Sequence, residues 1–518
     1  MGASQSSPLI DGIKAALGGD EKLYAFPSKI GYQIEDVRPY NLTIPVKPAA
    51  VTYPKTAQEV AAIVKVAADN GLKVQPRGGG HSYANYCIFP IARFNKYILT
   101  NPGLGGVNGA VVIDLRHLQH FQMDRTTWRA KVGGGTLLGD LTKRMHDAGN
   151  RAMAHGTCPQ VGIGGHATIG GLGPSSRLWG AALDHVEEVE VVLADSRIVR
   201  ASAIQNQDIF WAIKGAGASF GIVTEFVVRT EPEPAECVHY SYSFTVGSWR
   251  TLASTFKTWQ KFVSDPNLSR KFASELILSE LGMIISGTYF GSEAEFNKLE
   301  MNKKFPGYKD HKTLVFKDWL GLVTHWGETV VLQAVGGLAA PLVAKSLTFN
   351  GADLIPDQAV DRLFAYLDRV EKGTLVWFII FDLAGGAVNE IAQDATAYAH
   401  RDALFYLQSY AVGLGKVKTT TRRFLAGVNT TIRNGMPGGQ DFGAYPGYVD
   451  PTLVNGPLEY WRTNLPRLQQ IKSVVDPRDI FHNPQSVPLA GTPAPRSAPK
   501  TARVRVSVHK LLAKFCFS

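Results

Sequence analysis

The stretch His155-Gly156-Thr157-Cys158-Pro159-Gln160-Val161-Gly162-Ile163-Gly164-Gly165-His166, running on through Gly170-Gly171-Leu172-Gly173, constrains this chain more than any other feature. Glycine loses more conformational freedom on folding than any other residue, and it lets a backbone take positive φ or approach a ligand closely. Glycines at this density require a backbone laid against something flat or anionic. The stretch also brings one cysteine and two histidines to that surface. A zinc centre is the rival reading, but Cys158 and His166 lack the spacing of a zinc pair and no Cys-x-x-Cys occurs in the chain.

A second glycine turn, Arg77-Gly78-Gly79-Gly80-His81-Ser82-Tyr83, follows a short strand predicted at Leu72–Pro76. Successive N–H groups of such a turn can cradle a pyrophosphate. The G-x-G-x-x-G dinucleotide fingerprint is absent, and the turn taken alone also reads as a plain tight turn. Helical spacing of Val60, Ile63, Val64 and Ala67, with Thr56 and Glu59 as a capping pair, predicts a helix between Tyr53 and Gly71. Strands are predicted at Ala110–Leu115, Trp128–Val132, Val186–Leu193 and Arg197–Ala201, the last two joined by the turn Ala194-Asp195-Ser196. Asp208–Ile213 reads as a short buried helix, followed by a third glycine turn at Gly215–Gly221.

After about Pro232 the pattern changes. Aromatic, alternating stretches (Tyr240–Phe244, Thr374–Asp382, Ala403–Tyr410) mix with helices predicted at Thr251–Val263 and Asp357–Val370, which points to a separate α+β domain. The chain's 518 residues suit two or three domains, and a hydrophobic fraction of 45% excludes disorder as its general state. No apolar run approaches the roughly 20 residues of a membrane-spanning helix. Four cysteines (Cys87, Cys158, Cys237, Cys516) do not make a disulfide framework. Of the net charge of +10, six charges sit in a tail where Arg496, Lys500, Arg503, Arg505, Lys510 and Lys514 stand without an acid, so the charge does not argue for a nucleic-acid partner. Residues 88–102 have neither turn chemistry nor a clear period, and they read either as a surface insertion or as a translated intron.

Taken in order, Arg77-Gly-Gly-Gly-His81-Ser-Tyr83, Gly156-Thr-Cys158-Pro-x-Val161-Gly162-x-x-Gly165-His166, Asp208-x-x-Trp211-Ala-x-Lys214-Gly-Ala-Gly217-x-x-Phe220-Gly221-Ile222-Val223 and Asn483-Pro-Gln-Ser486 resemble the berberine-bridge-enzyme-like flavoproteins of the vanillyl-alcohol oxidase superfamily. Within that group the chain is most similar to fungal carbohydrate oxidases of the glucooligosaccharide oxidase type, over roughly Tyr53 to Ser486. The resemblance implies an α+β, two-domain FAD-binding fold of the vanillyl-alcohol oxidase type. The FAD domain would run over residues 1–230 and return at 455–490 with the berberine-bridge-like motif. An antiparallel-sheet substrate domain would fill 231–454, and 491–518 would be a disordered basic tail.

The same resemblance implies covalent FAD, bonded by His81 at the 8α-methyl and by Cys158 at carbon 6. It puts Arg77, Gly78, Gly79, Gly80, Ser82, Val161, Gly162, Gly165, His166, Gly221, Ile222, Val223 and Asn483 around the cofactor. Val161 matches a gatekeeper position at which a small residue goes with oxygen access. Tyr448, in Tyr445-Pro-Gly-Tyr448-Val-Asp450, matches the catalytic base, Tyr83 a tyrosine that stabilises its phenolate, and Asp382 an assisting acid. A tyrosine serves as a base only where its pKa of about 10 is lowered. Read without the resemblance, Tyr445 and Tyr448 are core aromatics with a polar handle.

Three departures bear on the substrate. Ile380-Phe381-Asp382 stands where the carbohydrate oxidases have Gln-x-Asp, Gly447 replaces an asparagine, and Gln408 is only a loose match to a substrate glutamine. With Tyr445, Gln408 and Ile380 lining it, the pocket reads as more apolar than a sugar groove. The expected reaction is oxidation of an alcohol, a sugar or oligosaccharide hemiacetal, by hydride transfer to the covalently bound FAD, with O2 as acceptor giving hydrogen peroxide; the expected partners are a small-molecule alcohol or carbohydrate and O2. The alternatives are an apolar secondary metabolite as substrate, and a non-catalytic or membrane-associated binding protein. With no secretory signal in view, the expectation is a cytoplasmic protein, with secretion as the alternative. Myristoylation at Gly2 and the basic segment Val504–Phe517 are two weak signals for a membrane contact.

Overall fold

The helix expected between Tyr53 and Gly71 forms over Ala57–Asp69 in the computed structural model, which describes residues 7–86, 109–245, 247–328, 339–438 and 442–492. The stretch 88–102, Gly2 and the segment Val504–Phe517 lie outside the described residues. Thr56 Oγ1 accepts from the Glu59 N–H at 3.1 Å, and the Glu59 carboxylate reaches back to the Lys55 N–H. The apolar stripe Val60, Ile63, Val64 and Ala67 is fully buried.

That helix packs beside a four-stranded sheet in which Val74–Arg77 and Ala50–Thr52 run parallel to Val111–Asp114. The glycine turn and His81 therefore leave the end of an edge strand that is paired along its whole length with Val111–Asp114. A second sheet orders Phe121–Asp124, Arg129–Gly133, Ile222–Arg229, Val186–Val192 and Ile198–Ser202. The turn at 194–196 joins the last two as an antiparallel pair. The helix Gln207–Ala216 loses helical geometry at Lys214 and Gly215, where Gly215 has φ +145°.

The chain then builds a seven-stranded antiparallel sheet. Its spatial order is Asp310–Phe316, Cys237–Phe244, Gly282–Tyr289, Glu275–Ser279, Val376–Leu383, Ala403–Val412 and Leu342–Asn350. Side chains alternate across a strand. Ile379 and Phe381 join Phe256, Trp259, Leu363 and Phe424 in a core beneath the helices Trp249–Val263, Asp357–Arg369 and Thr419–Arg433. Ile380 and Asp382, one residue out of phase, face the opposite side and line a cavity.

The chain finally returns to the first sheet. Val74 donates to the Ile480 carbonyl at 2.9 Å and bridges to Phe481. The anchor is Lys472 on the helix Leu465–Val475, fully buried, with its ammonium donating to Asp476 at 2.6 Å and to the carbonyls of Ser219 and Phe481 at 2.8 Å each. Removing one partner of a buried ion pair leaves the other charge uncompensated. Lys472→Met is expected to lower unfolding free energy by about 3–5 kcal/mol, read from chemical denaturation of the purified protein.

Candidate active site

The two glycine loops meet backbone to backbone. A Cβ on Gly79 would overlap the Gln160 carbonyl oxygen, and one on Gly162 would overlap the Gly79 nitrogen. Only glycine at both positions allows this approach. The contact joins the His81 turn to the Cys158 turn as one wall of a cavity of about 530 Å3, whose opposite wall is the seven-stranded sheet. Gly217, Ser219, Gly221, Val223, Asn483 and Ser486 extend the glycine wall. A cradle kept free of side chains along two adjoining loops fits a flat, elongated group of dinucleotide size.

Burial lowers the His81 imidazole from its ordinary value, which keeps it neutral at physiological pH, and its ring lies 4.9 Å from that of Tyr40. Cys158 is partly exposed to the cavity, where burial raises its thiol and Sγ donates to Gln160 Oε1 at 3.3 Å. His166 Nε2 accepts from the Gly156 N–H at 2.9 Å, and burial pushes its pKa down to about 3, so it fixes the Cys158 loop as a neutral acceptor. Tyr445 Oη accepts from the Gly171 N–H at 2.8 Å, locking the next glycine turn to the tyrosine segment.

On the sheet side, Tyr448 Oη donates to Asp382 Oδ2 at 2.8 Å. Gln408 Nε2 donates to Tyr83 Oη at 2.7 Å, so the site holds two separate polar pairs. Asp382 stands directly opposite Glu275 on the neighbouring strand, and Ser286 Oγ donates to Glu275 at 3.0 Å. Burial raises Asp382 to about 6, while burial and the Asp382 charge raise Glu275 to about 7. Tyr448 moves the same way: burial first, then the Asp382 charge, hold its phenol well above the ordinary value. A lowered tyrosine pKa, the sequence-based condition for a phenolate base, is therefore not met.

Gly78, Gly79, Gly80, His81, Ser82, Tyr83, Cys158, Val161, Gly162, Gly165, His166, Gly221, Val223, Ile380, Asp382, Gln408, Tyr445, Tyr448 and Asn483 all line the one cavity. Two expected residues do not. Arg77 turns away, its guanidinium donating to Asp114 Oδ2 at 2.6 Å and to the Val37 carbonyl at 2.7 Å, where it anchors the strand that carries the turn. Ile222 is fully buried in the core beside Val192 and Ala194, because alternation along its strand sends Val223 to the cavity instead. Glu275, Tyr40, His239 and Thr288 are lining residues that sequence reasoning missed. A lone acid heading the apolar run Glu275-Leu-Ile-Leu-Ser was the available signal for the first.

The FAD binding domain family matches residues 48–92 and 98–202, and the berberine and berberine like family matches 444–488. The FAD-linked oxidoreductase sorD of Penicillium rubens is 40% identical over 480 residues, covering 92% of this chain and 97% of that relative. The chain belongs to the berberine-bridge-enzyme-like FAD-linked oxidoreductases. The xylooligosaccharide oxidase of Thermothelomyces thermophilus is 30% identical over 473 residues, 87% of this chain and 89% of the relative. Among solved structures, a glucooligosaccharide oxidase from Acremonium strictum, described with a 6-S-cysteinyl, 8α-N1-histidyl FAD, superposes with a TM-score of 0.79 at 28% identity over 92% of this chain and 99% of that one. The fold is that of the vanillyl-alcohol oxidase type, and FAD is the cofactor of this family member.

The raised carboxyls make stability depend on pH. Between the unfolded carboxylate values near 4 and the native values of about 6 and 7, the folded protein binds more protons than the unfolded chain, so stability falls as pH rises through that window. Asp382→Asn is expected to stabilise the protein by about 1–3 kcal/mol at pH 8 and to change little at pH 4, measured by thermal melts at both pH values.

Proposed function

We propose that this protein oxidises an alcohol at a CH–OH carbon, with FAD attached through both His81 and Cys158 and with O2 as the final acceptor, giving hydrogen peroxide. The observation that carries this reading is the Tyr448–Asp382 pair, on the cavity wall facing His81 and Cys158. FAD, when bound, supplies the hydride acceptor. Because the Tyr448 hydroxyl donates to Asp382, its oxygen has lone pairs available for the substrate hydroxyl. Tyr448 takes the substrate proton at Oη as its own proton passes to Asp382 Oδ2. Asp382 is thus the terminal proton acceptor, and no free phenolate has to form in a site that disfavours one. Gln408 holds Tyr83 beside this relay. Val161 keeps the cavity wall next to Cys158 small, which supports access by oxygen.

The substrate we infer is an alcohol with an apolar skeleton. Ile380 packs with Ile277, Phe378, Tyr410 and Leu342 in an apolar cluster on the cavity side of the sheet, bordered by Tyr40 and Tyr83. A site discriminates by the hydrogen bonds it offers, and this half of the wall offers a sugar few. The oligosaccharide reading is favoured by Gln408 and Glu275, and by relatives named for sugar oxidation. A panel of sugars and apolar alcohols scored by peroxide release separates the two, and peroxide from sugars alone refutes the apolar substrate.

Tyr448→Phe is expected to lower kcat by about 10^2–10^4-fold with KM little changed. Turnover should also fall as pH drops through about 6, where Asp382 becomes protonated. Intact mass spectrometry under denaturing conditions is expected to find one FAD adduct, retained in Cys158→Ala through His81. Loss of all adduct from Cys158→Ala would overturn the double attachment.

A further inference from the structure

Two and three strands away from Asp382 on the same sheet, the cavity is lined by two polar side chains that the proton relay does not use. His239 is 8% exposed and lines the cavity, and its Nδ1 is buried without a hydrogen-bond partner among the described residues. Its ring meets the edge of His325 with centroids 4.4 Å apart. Burial, and secondarily His325, bring its pKa down to about 4, so at neutral pH it has one N–H to donate and one lone pair to accept. Thr288 lies directly opposite His239 in register and also lines the cavity. Thr288 Oγ1 accepts from Trp326 Nε1 at 3.0 Å, which leaves its own O–H to donate. A buried polar nitrogen left unpaired costs about 1–3 kcal/mol, a cost that a ligand offering the missing partner would remove.

We propose that His239 and Thr288 form a second hydrogen-bonding subsite, for the distal end of an elongated alcohol that carries another hydroxyl or carbonyl oxygen remote from the carbon oxidised. The inference deepens the alcohol-oxidase reading and rests on it for the identity of the reacting end. Register gives the separation. Asp382, Glu275, Ser286 and Ser241 form one row across four strands, and Thr288 and His239 lie two residues further along the last two. With strands about 4.8 Å apart and residues rising about 3.4 Å, Thr288 lies roughly 12 Å and His239 roughly 16 Å from Asp382. The apolar cluster around Ile277 and Ile380 lies on the other side of the acidic row, so the polar pair and the apolar wall flank that row within one cavity.

The test uses purified holoenzyme, its flavin first reduced with dithionite so that no hydride can be transferred, and matched probes: 1,8-octanediol and 1,10-decanediol against 1-octanol and 1-decanol, titrated anaerobically by calorimetry. The quantity read is the ratio of diol to mono-alcohol affinity. It is expected to fall by about 5- to 20-fold in His239→Leu and in Thr288→Val, and to recover in part in His239→Asn, whose amide keeps a hydrogen-bonding group near the Nδ1 position. If His239→Leu does not fold, Thr288→Val carries the same test. A ratio unchanged in folded variants, or no binding of either probe to the unmodified enzyme, overturns the subsite. Because binding is read rather than turnover, the two readings fail separately. Flavin that no alcohol reduces, with a ratio that still responds to His239, sinks the oxidase reading alone, whereas oxidation with an indifferent ratio sinks the subsite alone.

Discussion

The close backbone approach of Gly79 to Gln160 and Gly162 is the contact on which the rest of the site depends. It brings two turns far apart in the chain to a separation that no other residue permits, and the wall it creates carries His81 and Cys158 on one surface. Arg77, buried against Asp114, stiffens the first turn from behind, and His166 pins the second through the Gly156 N–H. Neither side chain performs chemistry in the proposed reaction; both reduce the freedom that so many glycines would otherwise leave.

Facing that wall, an antiparallel sheet sorts its residues by alternation. One face is a continuous aromatic and aliphatic core beneath three helices, and the other presents acids, an amide and tyrosines to the cavity beside the apolar cluster of Ile277, Leu342 and Ile380. Two buried carboxyls side by side, Glu275 and Asp382, destabilise the fold at neutral pH, and such a cost is characteristic of functional sites. The Tyr448 hydrogen bond partly offsets it and, in the proposed reaction, is the path of the proton. The C-terminal segment completes the arrangement, since Lys472 and the strand-end bonds of Ile480 and Phe481 tie the stretch following the tyrosine motif back to the sheet that carries His81.

Much of this is legible in the sequence. The helices at 57–69 and 249–263 and the strand pair 186–192 and 198–202 follow from apolar period, capping residues and a turn, all of which act within a few residues. The motif residues His81, Cys158, Tyr448 and Asp382 gather at one cavity. Arg77 and Ile222 were misjudged because a motif match says nothing about which way a side chain leaves the backbone. Glu275 was missed because its partner, Asp382, is more than a hundred residues away, and His239 because a single histidine in an aromatic strand looks like ordinary core.

The sequence by itself determined the glycine loops, the imidazole and thiol they carry, and the alternation that sends successive residues of each strand to opposite faces of the sheet, because each is a local property of residue type and spacing. Only the tertiary structure decided that Asp382 is raised by burial, that the Tyr448 hydroxyl donates to that carboxyl group, and that His239 lines the cavity with a nitrogen unpaired among the described residues. Those facts depend on strand register and on exclusion of solvent. Both are set by long-range packing between segments that carry no mark of each other in the chain.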